Sequence, residues 1–256
     1  MPLIGIERRG AVAIVTLNDP DRRNALSPEM RAEMLAALDP LTADGTCRAL
    51  VLTGAGGTFC AGGDLRSMRS GDPLYARHRM MMSHRLVRLL AAGPKPVIAA
   101  VEGFAFGAGL SLAALADTCV VSREAKFGAV FGRVGLMADL GLLWSLPQRI
   151  GAARARRLML EAGTLDAAEA ERLGLADVLV DAGGALEAAL EVAQGFADRA
   201  PLPIAATRSA FAQLGGDLDR ALALEADLQS ALMASADHEE GRTAFLEKRP
   251  PTFRGA

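Results

Sequence analysis

Side chains suited to nucleophilic, redox or metal-binding work are scarce in this chain. Its 256 residues hold three histidines, three cysteines, one tryptophan and one tyrosine. Cys47, Cys60 and Cys119 are odd in number and lack Cys-x-x-Cys spacing, so neither a disulfide framework nor a zinc site is expected. His78, His84 and His238 stand on charged or helical stretches, and no histidine pair or carboxylate cluster has metal-ligand spacing. All three read as surface or packing residues, and no metal is expected. An excess of one charge is missing too: 28 Lys and Arg face 30 Asp and Glu, with no basic block, which speaks against a nucleic-acid partner. No apolar run reaches the roughly 18 residues of a membrane span, and no basic segment leads into an apolar core at the start. These absences point to a cytoplasmic protein without membrane association. With 51% hydrophobic and 23% charged residues, the chain is expected to fold around a substantial core, as one large domain or a core with an appendage.

Two glycine-rich strand exits carry most of the information that is present. Leu50–Gly54 runs into Phe59-Cys60-Ala61-Gly62-Gly63-Asp64-Leu65, and Pro96–Gly103 runs into Phe104-Ala105-Phe106-Gly107-Ala108-Gly109-Leu110. Each is a short β-rich run ending in small residues, so main-chain N–H groups can face a ligand without side chains in the way. Two converging N–H donors, one at a helix N-terminus, stabilise a developing oxyanion, which makes acyl chemistry the first hypothesis. Either loop alone also fits an ordinary strand-to-helix turn. Nucleotide templates fail. Gly54-x-Gly56 is followed by Phe59 rather than glycine, and Gly63-Asp64 stands where a P-loop needs Lys-Ser/Thr.

Along the chain, Val12–Leu17 reads as a strand, and Ser27-Pro28-Glu29 starts a helix through about Leu41. Ala49–Thr53, Pro96–Val101 and Thr118–Val121 read as further strands. Helices are expected over Asp72–Leu90, Gly107–Leu115 and Gly141–Arg149. Met80, Met81 and Met82 on the first of these are read as core rather than pocket wall. The alternation implies a layered α/β arrangement. Later segments, Gly184–Ala200, Pro203–Leu214, Leu218–Ala236 and Asp237–Lys248, read as helices without strands, so a helical appendage is expected after residue 200.

Taken together, Phe59-Cys-Ala-Gly-Gly-Asp-Leu65, Lys95-Pro-Val-Ile-Ala-Ala-Val-Glu-Gly103 and Gly107-Ala-Gly109 closely resemble the crotonase (enoyl-CoA hydratase/isomerase) superfamily. Asn18-Asp19-Pro20, Arg23-Asn24-Ala25-Leu26, Ala116-Asp117, Lys126-Phe127-Gly128, Val134-Gly135-Leu136 and Phe245–Pro250 follow in the same order. The resemblance spans essentially the whole chain and is more specific for the family than for the reaction. It implies an α/β spiral of β-β-α units over residues 1–200, with residues 201–256 as a helical oligomerisation region. It also implies an acyl-CoA thioester substrate, no separate cofactor, and assembly as a homotrimer or dimer of trimers.

By the same resemblance, the backbone N–H groups of Gly63 and Ala108 form the oxyanion hole. The hydratases' two glutamates fall at Ser111 and Phe131, neither of which can carry a proton as a carboxylate does. Several isomerase branches, among them dienoyl-CoA isomerases and a ring-epoxide isomerase, place an aspartate where Asp139 stands. A dehalogenating branch does so as well. Asp139 is therefore the expected proton-transfer group, with a helix N-cap as the alternative reading. One carboxylate suffices for a double-bond shift, whereas hydration is shared between two, so isomerisation is favoured over hydration or plain acyl-CoA binding. The resemblance places Arg23 and Ala25 near the pantetheine and phosphates. It places Ala61, Gly62, Asp64 and Leu65 on the adenine-binding loop, and Phe245 and Lys248 where a neighbouring subunit reaches CoA phosphate. Phe131 is expected on the acyl pocket, Ser111 either there or as a helix-start serine with no catalytic role, and the loop Ser67–Arg79 is expected to wall the pocket.

Overall fold

The computed structural model describes residues 2–68, 72–213 and 218–256. Positions 69–71 of the expected pocket loop and Leu214, the expected end of a helix, lie outside the described residues.

Nine strands form two sheets among the described residues. The larger has the order β1 (Ile4–Arg9), β2 (Val12–Leu17), β3 (Ala49–Gly54), β4 (Val97–Val101), β6 (Thr118–Ser122), β9 (Val178–Val180). Only the first pair is antiparallel. The smaller sheet runs β5 (Phe104–Phe106), β7 (Lys126–Gly128), β8 (Thr164–Asp166). Its first pair is parallel and its second antiparallel.

The chain visits the two sheets in turn and then makes a helix. β4 and β5 lead into α3 (Ala108–Leu115), and β6 and β7 lead towards α4 (Leu142–Ile150) and α5 (Ala152–Leu160). In the two earlier turns the second strand shrinks to a single bridge. Leu26, paired with Gly63, precedes α1 (Pro28–Ala43), and Cys60, paired with Ala105, precedes α2 (Pro73–Ala92). This is the expected spiral of β-β-α units. The second strands are too short to show a period of two, which is why they leave no trace in the sequence pattern.

Helices cover both faces of the large sheet, so its central strands are buried throughout and read as continuous apolar runs. On one face Val51, Ile98, Ala100 and Val120 meet Ala185, Ala189 and Ala193 of α7 (Ala185–Ala197). Alanine at every fourth position lets that helix lie close to the sheet. On the other face the alternate residues Val15, Leu52, Ala99 and Val121 share a core with Met30, Met34 and Leu38 of α1 and Leu86 and Leu90 of α2. Ser27 caps α1 and Asp72 caps α2, each accepting from a main-chain N–H, and each is followed by proline at the first helical position.

Between Ile150 and α7 lie α5 and α6 (Ala167–Leu173), and α8 (Pro201–Gln213), α9 (Leu218–Met233) and α10 (Ala236–Glu247) finish the chain. Arg208 of α8 is buried. It donates to the Asp117 carboxylate at 2.9 Å and to the Gly93 and Leu90 carbonyls, which ties the helix to the end of α2. Asp237 of α10 accepts from the N–H groups of Arg254 and Gly255, holding the final residues against the helix. Among the described residues no helix is long and apolar enough to cross a membrane. The expectation for the methionines is corrected. Met81 and Met82 are about half exposed, and only Met80 faces a cavity. α2 carries so many charged residues that just Ser83, Leu86 and Leu90 reach the interior.

Candidate active site

The two glycine-rich exits meet as the resemblance implied. Gly63 and Ala108 both line a cavity of about 100 Å³, together with Ala61, Gly62, Gly107, Phe131, Leu136 and Asp139. Two features of the Gly-x-Gly sequence make the meeting possible. Gly107 has φ 51° and ψ −115°, a backbone conformation that side chains exclude, and it turns β5 into α3. Gly109 has no room for a side chain, since a Cβ there would lie 2.2 Å from the Cys60 carbonyl. The first turn of α3 therefore packs directly on the strand exit that carries Gly63. Among the described residues no acceptor takes the N–H of either Gly63 or Ala108. Ala108 opens α3, so its N–H also lies at the positive end of a helix. Two unclaimed amides on one small cavity can receive a carbonyl oxygen that becomes negative during reaction.

Asp139 sits where this cavity joins a larger one of about 580 Å³, whose walls include Tyr75, Arg79, Met80, His84, Met137, Leu143 and Trp144. Met68, Leu136 and Asp139 belong to both walls. Among the described residues Asp139 is the single carboxylate on either cavity. Its Oδ1 is buried and has no hydrogen-bond partner. Burial pushes the carboxyl above its ordinary pKa, and the positive charges of Arg31 and Arg79 pull it part of the way back.

The alternative role as a helix cap is not observed. α4 begins at Leu142 with Gly141 as its cap, and the Asp139 side chain caps nothing. The carboxylate is aimed by its backbone. Leu140 is held at φ 49°, a conformation costing a branched residue about 1–3 kcal/mol, and Gly141 follows at φ 77°. Ser111 fixes this turn from below. Fully buried on α3, its hydroxyl lies 3.0 Å from the Asp139 carbonyl and 3.3 Å from that of Gly107. The expectation that Ser111 lines the acyl pocket is thereby corrected, because it braces the main chain on either side of the site. Phe131 does line the small cavity, as expected.

Of the residues expected near CoA, Ala61, Gly62 and Leu65 lie on the small cavity. The Asp64 carboxylate instead caps the short helical turn Leu65–Ser67 by accepting from the Arg66 N–H. Arg23 is exposed at φ 51°, and its carbonyl accepts from the Ala61 N–H, which joins it to the same loop. Ala25 is half-buried beside it. Phe245 is 83% exposed on α10 and Lys248 ends that helix; neither lines either cavity within one chain. Cys60 is buried with its thiol pushed up to about 11 by desolvation, so it offers no thiolate.

Two arginines escaped the sequence reading. Arg31 of α1 is 6% exposed, and its Nη1 donates to Ser83 Oγ at 2.7 Å. Arg79 of α2 donates from Nη1 to Ser67 Oγ at 3.1 Å. The signal for Arg31 was available. It interrupts the apolar stripe Met30, Met34, Leu35, Leu38 of an otherwise amphipathic helix. Arg79 and His84 gave none, since they lie among other charged residues on α2.

A family model for enoyl-CoA hydratase/isomerase matches residues 7–256. The chain belongs to the enoyl-CoA hydratase/isomerase family. A 1,2-epoxyphenylacetyl-CoA isomerase of Escherichia coli (strain K12) is 40% identical over 250 residues, covering 95% of each chain. A crotonyl-CoA hydratase of Syntrophomonas wolfei is 32% identical over 97% of this chain and 96% of that one. An enoyl-CoA hydratase crystal structure from Polaromonas sp. JS666 superposes with a TM-score of 0.92 at 35% identity, covering 98% and 99% of the two chains. Membership of this crotonase superfamily makes the chain an acyl-CoA enzyme. An isomerase and hydratases stand among its relatives at similar coverage.

Proposed function

We propose that the chain is an acyl-CoA isomerase that shifts a double bond, or rearranges an unsaturated or aryl acyl group, through an enolate. The observation that carries this reading is the Asp139 carboxylate, the single one on the two cavities among the described residues, partly desolvated and with a buried, unpartnered Oδ1 beside the two free amides. The thioester oxygen sits between the Gly63 and Ala108 N–H groups, which acidifies the neighbouring carbon. Asp139 removes a proton from the α-carbon of a β,γ-unsaturated thioester. The electron pair moves into the carbonyl, and the resulting dienolate is held by the hole. The same carboxyl then returns the proton at the γ-carbon, leaving an α,β double bond and an ionised Asp139. A raised pKa suits a group that must both take and give the proton. No second carboxylate is needed, and the positions at which the family's hydratases carry glutamate are Ser111, buried, and Phe131, apolar.

CoA is bound along the surface of Arg23, Ala25, Ala61, Asp64 and Leu65. Phe245 and Lys248 are supplied to its phosphates by a neighbouring subunit of a homotrimer or dimer of trimers. The exposure of Phe245 and Leu246 on α10 supports such a contact. Residues 201–256 are the assembly region, CoA enters as part of the substrate with no further cofactor, and the enzyme works in the cytoplasm.

Turnover of enoyl-, dienoyl- and aryl-epoxide-CoA thioesters in deuterated, 18O-labelled water tests the reading. Isomerisation gives a moved double bond with deuterium at the α- or γ-carbon and no new oxygen. A product carrying solvent 18O as a hydroxyl group would make the protein a hydratase.

A further inference from the structure

The isomerase reading leaves two positive charges unused, Arg31 buried and Arg79 half-buried. Arg31 and Arg79 approach each other beside the hole, with their Nη2 atoms 3.9 and 4.0 Å from the point where a Cβ on Gly63 would stand. Each guanidinium is anchored through Nη1, Arg31 on Ser83 and Arg79 on Ser67. On the other edges, Arg31 Nε and Arg79 Nη2 are buried and lack any hydrogen-bond partner. Buried charged donors are normally paired, because an unpaired charge in a dry site is strongly unfavourable. Among the described residues Asp139 is the single carboxylate on these cavity walls and can balance at most one of the two charges; Glu29 acts on Arg79 only from the exposed surface of α1. Burial and the neighbouring Arg79 bring the Arg31 guanidinium down to about 10, so Arg31 stays charged at neutral pH. The site therefore holds an unmet positive charge with open donors, on the walls that Asp139 joins.

We propose that Arg31 and Arg79 form a subsite for a carboxylate on the acyl group, making CoA monothioesters of short dicarboxylic acids the preferred substrates. The inference rests on the acyl-CoA part of the functional reading but not on isomerisation. The closeness of both guanidiniums to Gly63 sets the length. The anion lies a few carbons from the thioester rather than at the end of a long chain. Planar guanidinium edges match a carboxylate with paired N–H donors, a recognition that a neutral chain cannot replace.

Competition binding with unreactive saturated thioesters tests it. Malonyl-, succinyl- and glutaryl-CoA are compared with propanoyl-, butanoyl- and pentanoyl-CoA, pairs equal in carbon number. At least one carboxylated member is expected to bind about 30-fold tighter than its partner. Arg79→Gln should reduce that preference below about threefold, and Arg79→Lys should restore part of it. Arg79 is half-buried, so its variants are the first choice, and circular dichroism verifies their fold; Arg31→Gln is the second. Equal binding within every pair would overturn the subsite while leaving the acyl-CoA reading intact. A loss in Arg79→Gln that is the same for both members of a pair would make Arg79 a partner of Asp139 alone, which also overturns it. If neither series competes with CoA-thioester binding at all, both readings fall together.

Discussion

The two cavities that meet at Asp139 are built by opposite means. The small one has main chain on one wall: Gly62, Gly63, Gly107 and Ala108 present backbone from the β-β-α core, packed so closely that Gly109 tolerates no Cβ, and side chains such as Phe131 and Leu136 complete it. The large one is mostly side chain, with Met80, Met137, Leu143 and Trp144 projecting from α2 and from the segment after β7. Several of those side chains are largely exposed, Met137 at 68% and Leu143 at 54%. A hole made of amides cannot be altered by ordinary substitution and treats every thioester alike. A cavity made of exposed side chains can change without disturbing the core. On the proposed reading, reaction type is set mainly in the first region and the preference among acyl groups mainly in the second, with Asp139 on both and Arg31 and Arg79 on either side of it.

Asp139→Asn should give the largest effect. The amide keeps the shape and cannot accept a proton, so turnover is expected to fall by about 10³–10⁴ for every substrate. Stability moves the other way. The native carboxyl has a raised pKa, so between the ordinary value of 3.8 and that raised value the folded state binds more protons than the unfolded one. Ionised Asp139 thus lowers stability as pH rises through this window. Asparagine relieves that burden at neutral pH, and the gain disappears below pH 3.8. A melting temperature that drops at pH 7 in Asp139→Asn would show that the carboxylate has a structural partner.

Ala108→Pro comes next, and it separates the hole from its scaffold. Ala108 is the first residue of α3, where proline fits a helix, so the change removes the N–H with little effect on the helix. Loss of one oxyanion donor is expected to cost about 10²–10³ in kcat. The loss should be uniform over acyl chains, because the amide contacts only the thioester. A loss that varied strongly from chain to chain would break the division between the two cavities.

The first region was legible in the sequence and the second largely was not, for a physical reason. Glycines at 62, 107 and 109 are demanded by a positive φ or by close backbone packing, and such demands leave a local signature. The strands β2, β3, β4 and β6 show as apolar runs because both faces are covered. β5, β7, β8 and β9 have three residues each, too few for any pattern. Asp139 could be placed by resemblance, but only the structure removes its capping role, through the unpartnered Oδ1 and the cap at Gly141. Ser111 was misplaced because the whole of α3 is buried and its hydroxyl is taken by the Asp139 carbonyl, 28 residues away. The pairing of Arg31 with Arg79 depends on α1 and α2 packing side by side, a tertiary fact that no window of sequence contains.

Arg79→Met sharpens the role of charge at the junction. Arg79 favours the ionised form of Asp139, so its removal should raise the carboxyl pKa further. Activity that needs the ionised base rises with pH through that pKa, and the acid limb of the kcat profile should therefore move to higher pH. The plateau above it should be affected much less for substrates without an acyl carboxylate. An unshifted limb with a lowered plateau would mean that Arg79 acts on the substrate and not on Asp139.

Trp144→Ala should give the smallest effect and the clearest test of the second region. Trp144 lies on the large cavity, but its ring is already 40% exposed, so truncation removes limited burial from the core. The stability cost is expected to stay near 1 kcal/mol, a melting shift of roughly 2–4 °C for a chain of this size. Selectivity should respond more. An apolar wall discriminates by roughly tenfold or more per methylene group, so widening it should shift kcat/KM towards bulkier acyl groups by on the order of 10-fold. The shift should appear in the ratio between long and short thioesters and leave CoA affinity unchanged. If all acyl chains lose activity equally in Trp144→Ala, the large cavity does not receive the acyl group. The small cavity alone would then have to set both reaction and substrate.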